Sequence, residues 1–93
     1  MSYRVVWMPI ALQQLAALWM AASDRNAVTA AGHEIDLVLA AAPNSVGVIL
    51  FDTVREFLHQ SLGVEFEVDV AKGTVYVVSV WDTATGRPNV SGN

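Results

Sequence analysis

The chain contains no cysteine. That excludes disulfides, thiol nucleophiles and thiolate metal sites, and it points to a cytosolic life. Base is also scarce: five Lys and Arg face nine Asp and Glu, for a formal net charge of −4. Tight binding to nucleic acid draws on several Lys or Arg at the phosphates, and few are on offer. No apolar stretch is long enough to span a bilayer. The longest helical one, residues 10–22, contains Gln13 and Gln14 and falls short of the ~20 residues required. No cationic leader precedes a cleavable apolar core, so no signal peptide is expected. No repeat and no domain linker is visible. His33, Glu34 and Asp36 do not share one helix face, and no second histidine follows at i+4, so no metal site is expected there. No cofactor is expected.

What the chain does have is apolar residue. The hydrophobic fraction is 54%, above the roughly 45–50% of ordinary domains, enough for one small core. The clearest pattern is Leu62 to Trp81. Val64, Phe66, Val68 and Val70 alternate with Glu65, Glu67 and Asp69, a period of two that predicts a strand with one dry and one wet face. Lys72-Gly73 breaks the run, and Gly73 can take the positive φ of a hairpin loop. Thr74 to Trp81 resumes with β-branched and aromatic residues, apolar on both faces, which predicts an interior strand.

Before the hairpin, Tyr3 to Trp7 predicts a short strand. Pro9 suits the first turn of a helix, and Ile10 to Ala22 is rich in helix formers, with Leu12, Leu15, Trp19 and Ala22 expected to face the core and Gln13 and Gln14 to point elsewhere. Ser23 and Asp24 are N-cap types, and a second helix runs to about Ala42 with Val28, Ala31, Ile35, Leu39 and Ala42 as its apolar stripe. Pro43 ends it. Val46 to Phe51 reads as a strand or a buried loop, and Val54 to His59 as a strand. Asp82 to Asn93 has almost no apolar residues and reads as a flexible tail. The order predicts an α+β fold in which a two-helix hairpin covers one face of a mostly antiparallel sheet of about four strands, leaving the other face free.

YRVVWMPIALQQLAALW, then ASDRNAVTAAGHEIDLVLAAAP, then LGVEFEVDVAKGTVYVVSVW, in this order and spacing, resembles the RelE/ParE superfamily of bacterial toxins over about residues 3–81. The resemblance implies the same strand, helix pair and sheet as a toxin domain at residues 1–81, with 82–93 as a tail. It implies a cognate antitoxin as partner; the lack of a spanning stretch leaves no membrane partner expected, and VILFDTV, if exposed, would serve a homodimer or a hetero-oligomer with the antitoxin. The resemblance implies growth inhibition as the toxin of a type II toxin–antitoxin pair, by one of two routes. RelE-like members are endoribonucleases that cut mRNA on the ribosome, and ParE-like members poison DNA gyrase. The first route is the leading expectation, with a gyrase inhibitor or an inactive antitoxin-binding homologue as alternatives. The chain departs from the family where Arg-rich sequence is usual: Val48 to Val54, VILFDTV, holds no base.

Three residues are candidate catalytic groups: Arg55, at a position like the family's strand arginines, Arg87, a base after the last strand as the resemblance implies, and His59, on the same strand face as Arg55 and chosen for its ring chemistry. Arg55 is set to neutralise a scissile phosphate, or else to pair with Glu67 or Asp69 across the sheet. His59 is set for proton transfer, or else is a solvated histidine at a strand end. Arg87 is set to stabilise charge from the tail, or else is an exposed loop arginine. Trp81 could stack a base but more often such a residue is core. Glu65, Glu67 and Asp69 form either a solvated strand face or a rail for Lys and Arg of an antitoxin tail. VILFDTV is either core or an exposed interface patch. Asn89-Val90-Ser91 has glycosylation spelling, which carries no meaning without a signal peptide.

Overall fold

The computed structural model describes residues 2–87. Its elements are β1 (Arg4–Trp7), α1 (Pro9–Ala21), α2 (Arg25–Ala41), β2 (Val48–Phe51), β3 (Val54–His59), β4 (Leu62–Asp69) and β5 (Thr74–Asp82). The strands form one sheet in the order β1-β5-β4-β3-β2. β1 runs parallel to β5, and every other pairing is antiparallel. The sheet therefore has five strands where about four were expected. The added strand is β2, from the stretch that the sequence left between strand and loop. It can form because Gly47 takes φ +72° and passes so close to β3 that a Cβ there would lie 2.1 Å from the Glu56 carbonyl oxygen. Asp52 then turns the chain back in the left-handed region that Asp tolerates.

The two helices lie on one face of the sheet. α2 is entered through Asp24, whose Oδ1 accepts the Ala27 amide at 3.1 Å, an N-cap bond worth about 1 kcal/mol. Its buried stripe is Val28, Ala31, Gly32, Ile35 and Leu39, close to expectation. α1 is rotated from expectation. Ala11 is its buried residue, and Leu15 and Leu18 pack on the core, whereas Leu12 and Trp19 are exposed. The small Ala11 lets α1 approach β5 closely, which turns Leu12 and Trp19 outward. The core itself is Ile35 and Leu39 of α2 against Leu62, Val64 and Phe66 of β4 and Val75, Val77 and Val80 of β5.

β5 is interior, as its two apolar faces implied, but β1 flanks only its first half. Its second half would be a bare edge, and α1 seals it. The Met8 amide donates to the Val77 carbonyl at 2.9 Å, and the Gln14 side-chain carbonyl accepts the Val80 amide at 2.8 Å. Gln14 thus satisfies a strand edge. It was expected to point away from the core.

The β4–β5 turn is held by Asp69 accepting the Lys72 amide at 3.1 Å, with Gly73 at φ +61°. Asp82 closes β5, and the Thr83 amide then donates to the Ser61 carbonyl at 2.9 Å. Residues 88–93 of the stretch read as a tail, with the Asn89-Val90-Ser91 triplet, lie outside the described residues. Among the described residues no helix is long and apolar enough to cross a membrane.

Candidate functional site

Strand pairing decides which face each side chain takes, because directly paired residues point the same way. Arg55 pairs with Phe66, and His59 with Leu62. Phe66 and Leu62 belong to the core, so both candidate residues of β3 lie on the side covered by the helices. Arg55 is half-buried there, and its Nε donates to the Val46 carbonyl at 3.1 Å, tying the segment after α2 to the sheet. Glu67 and Asp69 take the opposite face, so the ion pair weighed for Arg55 does not form. His59 stands 2.6 Å, Nε2 to Oε1, from Glu34 of α2, and its ring stacks on Phe57 at 5.8 Å. This contact pins α2 to β3. It is neither a free catalytic ring nor a freely solvated one.

Arg87 is on the other side. It pairs with Glu65, and its guanidinium lies 5.8 Å from the centre of the Trp81 ring. Trp81 is 4% exposed and rests on Gly63, where a Cβ would meet the indole at 2.5 Å. Trp81 is thus seated in the sheet and is not free to stack a base. The three predicted site residues are not brought together: two are engaged on the covered face, and one stands on the open face.

The open face reads in rows across the strands. Val48, Glu56, Glu65 and Ser79 make one row, and Phe51, Val54, Glu67 and Tyr76 the next. Arg4, Thr74 and Asp69 make a third, at the far end. Its cations are Arg4 and Arg87, near opposite ends of β5. With β5 residues 74 and 79 marking those ends, they stand roughly 17 Å apart. Its carboxylates are Glu56 and Glu65 in the first row, Glu67 in the second and Asp69 in the third. Cleavage of RNA needs groups that position a phosphate, activate a ribose hydroxyl and protonate a leaving oxygen. Among the described residues, no two cations converge on one point of this face.

The covered face carries one feature that the sequence reading missed. α1 and α2 splay to leave a mostly apolar groove of about 490 Å³, lined by Trp7, Leu12, Leu15, Trp19, Val28 and Asp36 among others. Trp7 Nε1 donates to Asp36 at 3.0 Å at its polar end. At the other end Arg25 lies 4.5 Å over the Trp19 ring and donates to the Trp19 and Met20 carbonyls, both at 3.2 Å. The signal was present in Leu12 and Trp19, seven residues apart on one side of α1, but it was assigned to the core.

Neither a protein-family model nor a curated protein matches the chain. Solved structures do match. A chain of the RelBE2 toxin–antitoxin complex from Mycobacterium tuberculosis superposes with a TM-score of 0.75 at 19% identity, over 89% of this chain and 93% of that one. The chromosomal ParDE toxin–antitoxin system from P. aeruginosa gives 0.70 at 13% identity, over 87% and 96%. The isolated E. coli RelE toxin gives 0.65 at 15% identity, over 97% and 92%. The expected architecture is thereby borne out: this chain has the RelE/ParE fold.

Proposed function

We propose, with the RelE/ParE fold as the premise, that this chain is the toxin of a type II toxin–antitoxin pair, held silent by a cognate antitoxin. The observation that carries this reading is the likeness to toxin–antitoxin structures across 89% and 87% of this chain and 93% and 96% of the others. For its target we favour a protein in the cytoplasm, DNA gyrase as in ParE-like members. An inhibitor that works by binding needs a surface and no reacting groups. The engaged state of Arg55 and His59 and the acidic open face are both compatible with that. They are less so with steering towards ribosomal RNA, which positive charge assists.

Ribosome-dependent cleavage of mRNA is the second reading, and Arg87 favours it. That residue is the one predicted cation on the open face, close to Glu65 and to the end of β5. One set of experiments separates the readings. Expression in a bacterial host without an antitoxin arrests growth. Inhibited supercoiling by purified gyrase with intact mRNA supports the gyrase reading. Cut mRNA, with the cutting lost in Arg87→Ala, replaces it by the nuclease reading. Full growth with well-expressed, folded protein rejects both and leaves an inactive antitoxin-binding homologue.

A further inference from the structure

The groove between α1 and α2 plays no part in either reading above. Its volume of about 490 Å³ falls in the roughly 300–1,000 Å³ range of small-molecule sites. Leu12, Leu15 and Trp19 of α1 and Val28 of α2 wall it. Leu12 and Trp19 are 52% and 39% exposed, so the walls are within reach of a ligand. Gly32, buried in the middle of α2, lies at its floor. A glycine inside a helix costs stability relative to alanine. Alanine would fit here, because a Cβ would find Leu15 Cδ2 at an ordinary 3.9 Å. In a helix otherwise rich in alanine, this glycine deepens the groove by one methyl group.

Both ends of the groove are closed by the protein's own polar contacts. Trp7 Nε1 donates to Asp36 at one end, and Arg25 lies over Trp19 at the other. Leu12 and Trp19 mark its length along α1 as roughly 10 Å. A segment of another chain running through would have to break both contacts, whereas a compact molecule fits between them. Charge selects among compact molecules. The lining holds one carboxylate, Asp36, and no Lys or Arg. One Asp36 oxygen takes the Trp7 N–H, and among the described residues the other has no hydrogen bond and no ion pair. Asp36 is half-buried, where charge acts more strongly than in open water. Arg25 stands at the start of α2, roughly 16 Å from Asp36 along the helix axis. A cationic ligand therefore has one pole to seek and one to avoid.

We infer that this groove binds an amphipathic organic cation, an aromatic ring system carrying a protonated amine. The ring lies among Leu12, Leu15 and Val28, and the ammonium reaches the second Asp36 oxygen. Indole rings attract cations too, and Arg25 on Trp19 is such a contact within the fold. An anion of the same shape would meet a half-buried carboxylate of like charge. The inference stands apart from the toxin reading and needs neither an antitoxin nor a target.

The test is an NMR titration of the full chain with tryptamine and with indole-3-propionate, the same ring carrying opposite charges. The indole N–H signals of Trp7, Trp19 and Trp81 are the readout. Tryptamine is expected to shift Trp7 and Trp19 in a saturable way at millimolar concentration, the range for a molecule of its size, and to leave Trp81 unmoved. Indole-3-propionate is expected to bind roughly tenfold more weakly. Asp36→Asn keeps an acceptor for Trp7 and removes the charge. It should weaken tryptamine about tenfold and erase its advantage over the propionate. Ala16→Phe, at an exposed position of the lining, should fill the groove and abolish the shifts while the rest of the spectrum stays folded. Several results overturn the inference: equal affinity for both compounds, indifference to Asp36→Asn or to Ala16→Phe, shifts centred on Trp81, or no saturable shift. So does movement of the Trp7 and Trp19 signals on concentrating the free chain with a doubling of mass, which would give the groove to a second copy. Growth arrest is read separately, so a toxic chain that binds no amine keeps the proposed function and loses this inference.

Discussion

The β4–β5 hairpin and the β2–β3 hairpin both carry continuous apolar sequence, VYVVSVW in the first and VILF in the second. In the first, Val75, Val77 and Val80 lie in the core, under the two helices. In the second, Val48, Ile49 and Phe51 stand in solvent. Residue type does not separate them. Position does: Val48 and Phe51 take the face opposite the helices, and Ile49, on the helix side, lies beyond α1, which packs on β5, and α2, which packs on β1 and β4. An apolar run thus reports that a segment will be covered by something. Whether that is its own chain depends on where the helices come to rest.

Substitutions test this contrast. Phe66→Ala, in the covered hairpin, should cost about 3–5 kcal/mol, read as a lower urea midpoint with an unchanged m-value. A loss under about 1 kcal/mol would mean that the core does not centre on β4. Gln14→Leu strips the acceptor from the Val80 amide at the sealed half-edge of β5, and a donor left unpaired there should cost about 1–3 kcal/mol. Hydrogen exchange at Val80 should quicken, while Val75 and Val77, which β1 flanks, keep their protection. The Glu34–His59 tie between the covered face and the open hairpin is a partly exposed pair, so a double-mutant cycle with Glu34→Gln and His59→Gln should give a coupling of at most about 1 kcal/mol. Phe51→Ser, in the uncovered hairpin, should change stability by no more than about 0.5 kcal/mol. If it costs as much as Phe66→Ala, the edge is already buried in solution and the contrast fails.

Much of the architecture was legible because short-range physics writes it. The alternation of Val64, Phe66 and Val68 with Glu65 and Glu67 marks β4, and Gly73 marks its turn. Asp24 starts α2 and Pro43 follows its end. α1 was harder. It is apolar nearly all round, so the pattern does not say which stripe packs, and the stripe was placed one residue off at Leu12 instead of Ala11. The candidate site was less legible still. Arg55 is matched by resemblance and His59 by its ring chemistry on the same strand face, and no local pattern reveals that a carbonyl at Val46 and a carboxylate at Glu34 already hold them.

By itself the sequence determined every element but β2, their order, the turn chemistry and the acidic balance, because propensity, capping and periodicity act over a few neighbouring residues. Only the tertiary structure decided which face Arg55 and His59 take, that Gln14 would finish the β5 edge, and that β2 would be left with none to finish its own. Those outcomes depend on register and on helix placement. A register shift of one residue moves every side chain of a strand to the opposite face, and no stretch of sequence read alone carries that information.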